Sequence, residues 1–206
     1  MLTIVETPYM MPFYVLENEA PAKQKILIAA LELFVKDGLC ATSIRDIARS
    51  SGFTNPALFK HFSGKDELAD CLFERCYLEL FRIVQLAVRS EGPFSARQRA
   101  LVAAYLAAVK RDSNSVLFVQ ESLRYFWPRM TAEVRRHSIL GEIQAFLEDG
   151  RKHDSVTPAI DVALLTTAWV GTLQQFARAK HFGDFRQSTQ QLENSLDTLL
   201  SKMVQP

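Results

Sequence analysis

The chain has 206 residues, of which 48% are hydrophobic and 23% are charged, and its formal net charge at pH 7 is +1. This composition provides a hydrophobic core and excludes a disordered chain, and the length fits a small domain joined to a larger one. No apolar run approaches the ~20 residues of a membrane helix. Cys40, Cys71 and Cys76 match no metal-ligand spacing, so we expect a cytoplasmic protein with no metal site and no cofactor.

The first twenty residues contain three acids, Glu6, Glu17 and Glu19, and neither Lys nor Arg. A secretory signal peptide begins with a positively charged region, which this stretch lacks. We therefore predict a flexible arm over residues 1–20, with Met10 or Met11 as alternative translation starts. The acidic arm masks a mildly basic charge in the rest of the chain.

A first helix is predicted from Ala22 to Gly38. Its apolar residues recur at helical spacing, and a glycine at the end suits a helix terminus because it has no Cβ. The stripe consists of Ile26, Ala29, Ala30, Leu33 and Phe34.

The stretch from Thr42 to Phe62 predicts two short helices around a tight turn. Ser43 and Asp46 have the S-x-x-D spacing of a capping box, so a helix should begin there. Gly52 then provides a residue that adopts a positive φ easily, and the chain should turn sharply. Thr54 is the expected N-cap of a second helix, in which Pro56 lacks only an N–H that would be unpaired in any case. This is the pattern of a helix-turn-helix DNA reader.

Leu58 and Phe62 are four residues apart and should face inward. The polar and exposed residues of the two helices and of the next helix start are then candidates for contact with bases and phosphates. The predicted DNA-binding residues are Thr42, Ser43, Arg45, Thr54, Asn55, Pro56, Ala57, Phe59, Lys60, His61 and Lys65.

A further helix start is predicted at Ser63 and Asp66, again with S-x-x-D spacing. Lys65 lies in its first turn, where a cation opposes the helix macrodipole by ~0.3–1 kcal/mol. A DNA phosphate at this terminus would offset that cost, because the ammonium and free N–H groups can hold the same anion. The alternative is a solvated lysine.

At these positions the chain resembles the TetR family of transcriptional regulators, which carries the pattern T-x-x-x-x-I-A, G-V-S, L-Y-x-H-F and K-x-x-L. The matching residues are Thr42, Ile47, Ala48, Gly52, Phe53, Thr54, Leu58, Phe59, His61, Phe62, Lys65 and Leu68. The resemblance implies a homodimer that binds a palindromic operator in double-stranded DNA and responds to a small-molecule effector.

Two residues depart from the family pattern. Phe59 stands where the family usually has a tyrosine whose hydroxyl reaches a phosphate, so it either makes an apolar contact with DNA or fills the core. Pro56 stands where glycine is common, and it stiffens the start of the recognition helix.

The remainder, residues 69–206, reads as about six helices divided by turn-forming stretches near 90–95, 111–115, 153–158 and 182–185 and by Pro128. No strand alternation, phosphate loop or nucleophile motif is present, so we do not expect an enzyme. The fold prediction is all-α, with an N-terminal helix-turn-helix domain over 21–68 and a C-terminal helical domain for ligand binding and dimerisation over 69–206.

Aromatic residues concentrate in the middle of this C-terminal part. They predict either the wall of an effector cavity for a hydrophobic or aromatic molecule or an ordinary core. The candidate ligand-binding residues are Tyr77, Phe81, Tyr105, Phe118, Tyr125, Phe126, Trp127, Phe146 and Trp169. Glu121, Arg124, His137 and Gln144 are candidate polar contacts.

The last two helices predict a dimer interface, because one has a small-residue face and the other a leucine stripe. Together with a second copy they would form a four-helix bundle; the alternative is packing within one subunit. The candidate residues are Ala168, Gly171, Thr172, Gln175, Leu192, Leu196, Leu199, Leu200 and Met203.

The functional prediction is a repressor that its effector releases from DNA. The alternative is a DNA-binding regulator without a small-molecule pocket, controlled by a protein partner or by cysteine oxidation. The sequence does not identify the operator, the regulated genes, the effector or the sign of its action.

Overall fold

The computed structural model describes residues 12–185 and 188–205. Within these ranges the chain forms α-helices, one 3-10 turn at Trp127–Arg129 and no β-strand, which confirms the all-α prediction. The helices are α1 Pro21–Asp37, α2 Ile44–Ser51, α3 Asn55–Phe59, α4 Lys65–Val88, α5 Phe94–Arg111, α6 Ser113–Phe126, α7 Ala132–Arg135, α8 Ile139–Lys152, α9 Val162–His181 and α10 Thr189–Val204. No helix in the described part of the chain is both long and apolar enough to span a bilayer.

The chain divides into two compact units, an N-terminal unit Met1–Leu72 and a C-terminal unit Phe73–Pro206. The boundary therefore lies inside α4, whereas the sequence predicts it between residues 68 and 69. A helix that continues across a domain boundary gives no turn or capping signal there, so only packing reveals the division.

The N-terminal unit is built on the apolar side of α1. Most of the predicted stripe is buried, while Leu33 is half-buried. Leu27 and Leu31 are also fully buried, so the apolar side of this helix is wider than predicted. The helix ends before Gly38, whose φ of 87° is a conformation that glycine adopts easily.

Part of the predicted flexible arm is packed. Tyr14 and Val15 are only 3% and 6% exposed, so their apolar side chains are part of the core. The Gln24 amide donates to the carbonyl oxygen of Leu16 at 2.8 Å and holds this segment beside the start of α1. The prediction is therefore wrong for this segment, and residues 1–11 lie outside the described part of the chain.

In the C-terminal unit, helix ends coincide with all the predicted turn-forming stretches. The break at Asp112 is a single residue, whose carboxylate accepts from the Ser115 N–H at 3.0 Å and caps α6. The stretch from Pro128 to α8 contains one short helix, α7, that the sequence analysis did not predict. At four residues, α7 is too short to produce a periodic apolar pattern.

Two aromatic clusters fill much of this unit. Phe73 stacks on Phe126 with ring centroids 4.9 Å apart, and Phe118 packs on both. Phe94 stacks on Phe146 at 4.4 Å, and Gly150 approaches the Phe94 ring closely. These clusters brace α4, α5, α6 and α8 around the site described below.

Candidate functional site

Helix α2 begins with the predicted capping box. The Ser43 hydroxyl accepts from the Asp46 N–H at 3.2 Å, and the Asp46 carboxylate accepts from the Ser43 N–H at 3.1 Å. Hydrogen bonds from Ser43 hold the pKa of the Asp46 carboxyl below its usual value, and the neighbouring Arg49 and Arg45 lower it further. The carboxylate is thus charged at the helix N-terminus, where the macrodipole favours an anion.

The turn between α2 and α3 is also as predicted. Gly52 has φ 78° and ψ 19°, the left-handed conformation, and the next residue, Phe53, donates its N–H to Ala48 at 2.9 Å. Thr54 caps α3 by accepting from the Ala57 N–H at 3.4 Å, and Pro56 lies in the first turn. The second helix therefore starts where the sequence places it.

Helix α3 ends at Phe59, so the candidate DNA-binding residues Lys60 and His61 lie in the turn that follows the helix. Leu58 and Phe62 are buried, as predicted, and anchor this segment. Phe59 is 52% exposed. This exposure removes the core-filling alternative and leaves an aromatic ring on the surface of the recognition helix.

The remaining predicted DNA-binding residues of this motif divide by exposure. The side chains of Ser43, Arg45, Thr54, Pro56 and Lys60 are exposed, and those of Asn55, Ala57 and His61 are half-buried. Thr54, Asn55, Pro56, Ala57, Phe59, Lys60 and His61 lie in one continuous segment of chain around α3, which we call the α3 surface, while Ser43 and Arg45 lie at the start of α2.

The structure contradicts the predicted DNA contact of Thr42. Its side chain is buried, and its hydroxyl lies 2.9 Å from the carbonyl oxygen of Gly38 and 3.3 Å from that of Leu33. It thereby fastens the end of α1 to the start of α2, and the hydroxyl is not presented to DNA. A threonine before a capping serine is compatible with either role, and only the packing distinguishes them.

Lys65 is bound inside the N-terminal unit. Its ammonium donates to the carbonyl oxygens of Leu39 and Thr42 at 2.8 and 2.9 Å. Neither the predicted phosphate contact nor a fully solvated lysine accounts for these bonds. Two of the three ammonium protons thus stabilise the connection between α1 and α2, and one remains for an anion.

The capping partner of Ser63 also differs from the prediction. Its N–H and its hydroxyl both donate to the Glu67 carboxylate at 2.6 Å, in place of the predicted Asp66. Because α4 begins at Lys65, Glu67 occupies the third helical position, from which a side chain reaches back to the preceding turn. These bonds hold the pKa of Glu67 below its usual value.

The C-terminal unit contains a cavity of about 570 Å³. Most of its wall is aliphatic and comes from α4, α5, α6, α8 and α9. The lining residues are Tyr77, Leu80, Ile83, Val84, Leu101, Tyr105, Val116, Val119, Gln120, Leu123, Arg124, Trp127, Pro128, Ser138, Ile139, Leu140, Ile143, Val170, Leu173 and Gln174.

Of the nine aromatic residues predicted to bind ligand, Tyr77, Tyr105 and Trp127 line the cavity. The other six do not, which corrects the prediction for Phe81, Phe118, Tyr125, Phe126, Phe146 and Trp169. Phe81, Phe118, Phe126, Phe146 and Trp169 are buried in the core, and Tyr125 is 51% exposed. Of the four candidate polar contacts, only Arg124 lines the cavity.

The two phenols of the cavity already have hydrogen-bond partners. Tyr105 donates to Leu173 O at 3.1 Å and receives the Gln120 amide N–H at 2.9 Å. Tyr77 donates to His137 O at 2.9 Å and receives the Ile139 N–H at 3.2 Å. Burial raises the pKa of both phenols, so they remain neutral.

The predicted dimer residues fall into two groups. On α9, Ala168, Gly171 and Gln175 are exposed and Thr172 is half-buried. On α10, Leu199 is 49% exposed and Met203 is half-buried.

The structure contradicts the predicted dimer contact for three leucines of α10, because they are buried within the single chain. Their exposed fractions are 7% for Leu192, 4% for Leu196 and 0% for Leu200. Trp169 donates to Leu200 O at 3.3 Å, which ties α9 to α10 in the same chain. These leucines therefore hold α10 in its own subunit, which is the packing alternative considered from the sequence.

Residues 26–71 match the family model described as bacterial regulatory proteins, tetR family. This range contains the capped α2, the Gly52 turn, α3 and the start of α4. These residues form a TetR-family DNA-binding domain.

Two TetR-family relatives illustrate the extent of the similarity. The transcriptional activator FasR of Mycolicibacterium smegmatis is 32% identical over 121 residues, which cover 57% of this chain and 55% of that relative. The match thus spans only about half of FasR. The transcriptional repressor KstR2 of Rhodococcus jostii is 28% identical over 161 residues, covering 72% of this chain and 76% of that protein.

The fold extends the likeness to the C-terminal unit. The structure of the ketosteroid transcriptional regulator KstR2 of Mycobacterium tuberculosis has a TM-score of 0.80 with 21% identity, covering 91% of this chain and 97% of that one. The TetR architecture therefore includes the helices that form the cavity.

Several wall residues were not predicted from the sequence. The clearest case is α6, where Val116, Val119, Gln120 and Leu123 recur at helical spacing together with the predicted Arg124. Two long polar residues interrupt an otherwise aliphatic stripe, and that interruption was the available signal. Aromatic content was a weaker guide, because large rings fill cores as readily as they line cavities.

Proposed function

We propose that this TetR-family regulator is a homodimeric repressor that binds a palindromic operator in the cytoplasm and is released by a hydrophobic or aromatic small molecule. The proposal assigns no catalytic reaction to the chain. The observation that carries it is the α3 surface, in which the buried Leu58 fixes a short helix that ends at the exposed Phe59 and is followed by the exposed Lys60. Such a helix fits the major groove.

The cavity supports a small-molecule effector. Its volume of about 570 Å³ is in the range of ligand sites, and its wall is largely aliphatic. A filled core would instead have favoured control by a protein partner or by cysteine oxidation. Helix α4 contains both Lys65 and the wall residues Tyr77, Leu80 and Val84, so displacement of this helix is the proposed link between effector and DNA affinity. A coupling of ~1–3 kcal/mol between the two sites is typical.

The exposed side of α9 and α10 supports the homodimer. Small residues at Ala168 and Gly171 permit close approach of a second helix, and Leu164 and Leu199 are 62% and 49% exposed. Two helices from each chain would form a four-helix bundle. The purpose of the dimer is geometric, because two recognition helices about 34–36 Å apart meet successive turns of DNA.

The test is selection of binding sites from random duplex DNA with the purified protein, followed by affinity measurements across a salt series. We expect a palindrome, an affinity that falls steeply with salt, and a dimer at the concentrations used. Lys60→Ala should weaken binding to all sequences and reduce the salt slope by about one, whereas Asn55→Ala should change sequence preference. Folded protein that selects no sequence at low salt would contradict the proposal.

A further inference from the structure

The charge distribution around the cavity indicates the chemical class of its occupant. Within the described residues that line it, Arg124 is the one formally charged side chain. It lies on α6 and is exposed to solvent, so its guanidinium is at the opening of the cavity. An aliphatic interior with a single cation at the opening fits a molecule with an apolar body and one acidic end.

The acid nearest to Arg124 along α6 already has another partner. Glu121, one helical turn earlier, pairs with Arg178 of α9 at 3.2 Å. Among the described residues, Arg124 itself has no ion pair or hydrogen bond. Its five N–H donors are therefore available to an external acceptor.

The other hydrogen-bond donors of the cavity wall are uncharged, and the two phenols among them are already engaged. The phenol protons of Tyr77 and Tyr105 are both donated to backbone carbonyl oxygens. Because Tyr105 donates to Leu173 O, it must accept from the Gln120 amide, which commits one of the two N–H groups of Gln120. A carboxylate or phosphate would thus gain most by binding at Arg124, where a guanidinium can form two parallel hydrogen bonds.

We propose that the effector is an anionic amphiphile whose apolar body fills the cavity and whose acidic group binds the Arg124 guanidinium. This inference rests on the proposed function, because it names the ligand of the same cavity. A free fatty acid and an acyl coenzyme A thioester share this chemistry, the anion being a carboxylate in one and phosphates in the other.

Binding can be measured without DNA. Trp127 lines the cavity, and the other tryptophan, Trp169, is fully buried outside its wall. Quenching of Trp127 fluorescence in the full-length Trp169→Phe protein therefore reports occupancy directly. The probes are dodecanoate, dodecanol, methyl dodecanoate and dodecanoyl coenzyme A, which share one hydrocarbon chain and differ in the polar end.

We expect at least one anionic probe to bind about tenfold or more tightly than the alcohol and the methyl ester, since hydrogen bonds to charged groups exceed neutral ones by about that factor. Arg124→Gln should reduce this preference to about threefold or less. Arg124→Lys should retain part of it, and Arg135→Gln, an exposed arginine outside the cavity wall, should retain all of it. Circular dichroism checks that each variant is folded.

The outcomes are distinct. Preference for dodecanoate identifies a carboxylate as the anion, and preference for the thioester alone identifies the phosphates. Equal binding of anionic and neutral probes, a preference that survives Arg124→Gln, or no binding of any probe would each overturn the inference. Release of operator DNA is measured separately with the same probes; binding without release would count against the proposed repressor mechanism and leave the anionic ligand in place.

Discussion

The N-terminal and C-terminal units of this chain differ in how far apart their functional residues lie in the sequence. The features that form α2 and α3, the Ser43 cap, the Gly52 turn and the Thr54 cap, each involve partners three to five residues away. The cavity wall comes from five helices between Tyr77 and Gln174. A short-range site can be recognised from its own residues, whereas a long-range site depends on how helices pack.

The largest expected effect tests that dependence on packing. A Cβ added at Gly150 of α8 would lie 2.6 Å from Val156 and 2.7 Å from the Phe94 ring, both outside its own helix. Gly150→Ala should therefore lower the free energy of unfolding by about 3 kcal/mol through overpacking. The measurement is thermal unfolding followed by tryptophan fluorescence, since Trp127 and Trp169 both lie in the C-terminal unit.

Gly171→Ala is the matched control for this change. Gly171 is also inside a helix, but no atom lies within 4 Å of its added Cβ. Within the single subunit, alanine should there be neutral or stabilising by up to about 1 kcal/mol, because glycine is a poor helix former. A cost of Gly171→Ala that depends on protein concentration would instead belong to the proposed dimer contact. Equal unfolding temperatures for the two variants would show that the contact between α8 and Phe94 does not constrain the unit.

The next effect sharpens the comparison inside the N-terminal unit, where Lys65, a predicted DNA contact, forms two long-range hydrogen bonds. Lys65→Met leaves the carbonyl oxygens of Leu39 and Thr42 without their donor, at a cost of about 2 kcal/mol. Hydrogen exchange of peptides within residues 12–72 should increase accordingly. DNA affinity should fall for all sequences.

Lys60→Met separates a structural role from a DNA contact. Lys60 is exposed, so its replacement should change stability by less than about 0.5 kcal/mol and still reduce DNA affinity. If Lys65→Met left hydrogen exchange unchanged and lost the same affinity as Lys60→Met, Lys65 would be a phosphate contact only.

These two lysines also illustrate how much could be predicted. The all-α fold, the helix starts at Ser43 and Thr54 and the left-handed Gly52 follow from side-chain chemistry within one turn. The bonds from Lys65 to the carbonyl oxygens of Leu39 and Thr42 could not be predicted, because they connect residues 26 and 23 positions apart whose separation depends on packing.

Packing also decides which apolar side chains line the cavity and which side of the last helix is buried. Phe126 and Trp127 are adjacent aromatics on the same segment, yet the first is fully buried in the core and the second lines the cavity. In α10, Leu199 and Leu200 are adjacent, and only Leu200 is buried in the chain. Composition marks such segments as apolar, and the direction of each side chain decides its role.

A smaller effect is expected at the N-cap of α3. Thr54→Ala removes the oxygen that accepts from the Ala57 N–H and should destabilise the helix by about 1 kcal/mol. Thr54→Ser keeps that oxygen and should restore both stability and DNA affinity. Hydrogen exchange at Ala57 is the measurement, and fast exchange in the serine variant would contradict a capping role.

The smallest effect is electrostatic and depends on pH. Hydrogen bonds from Ser43 lower the pKa of Asp46 in the folded state, so its charge stabilises the fold at pH values above its ordinary pKa. That contribution should disappear as the pH falls through the lowered pKa, below about pH 4. Asp46→Asn should therefore unfold at a lower temperature than the parent at pH 7, with a difference that vanishes in acid.

Asn is the informative replacement at this position because it keeps an oxygen that can accept from the Ser43 N–H and removes only the charge. Glu67 has the same relation to Ser63 and provides an independent repeat through Glu67→Gln. If the difference in unfolding temperature between variant and parent persisted unchanged below pH 3, side-chain shape or helix propensity, rather than the carboxylate charge, would account for the effect. The interactions at the helix starts, from which the N-terminal unit can be predicted, would then depend on side-chain shape rather than on charge.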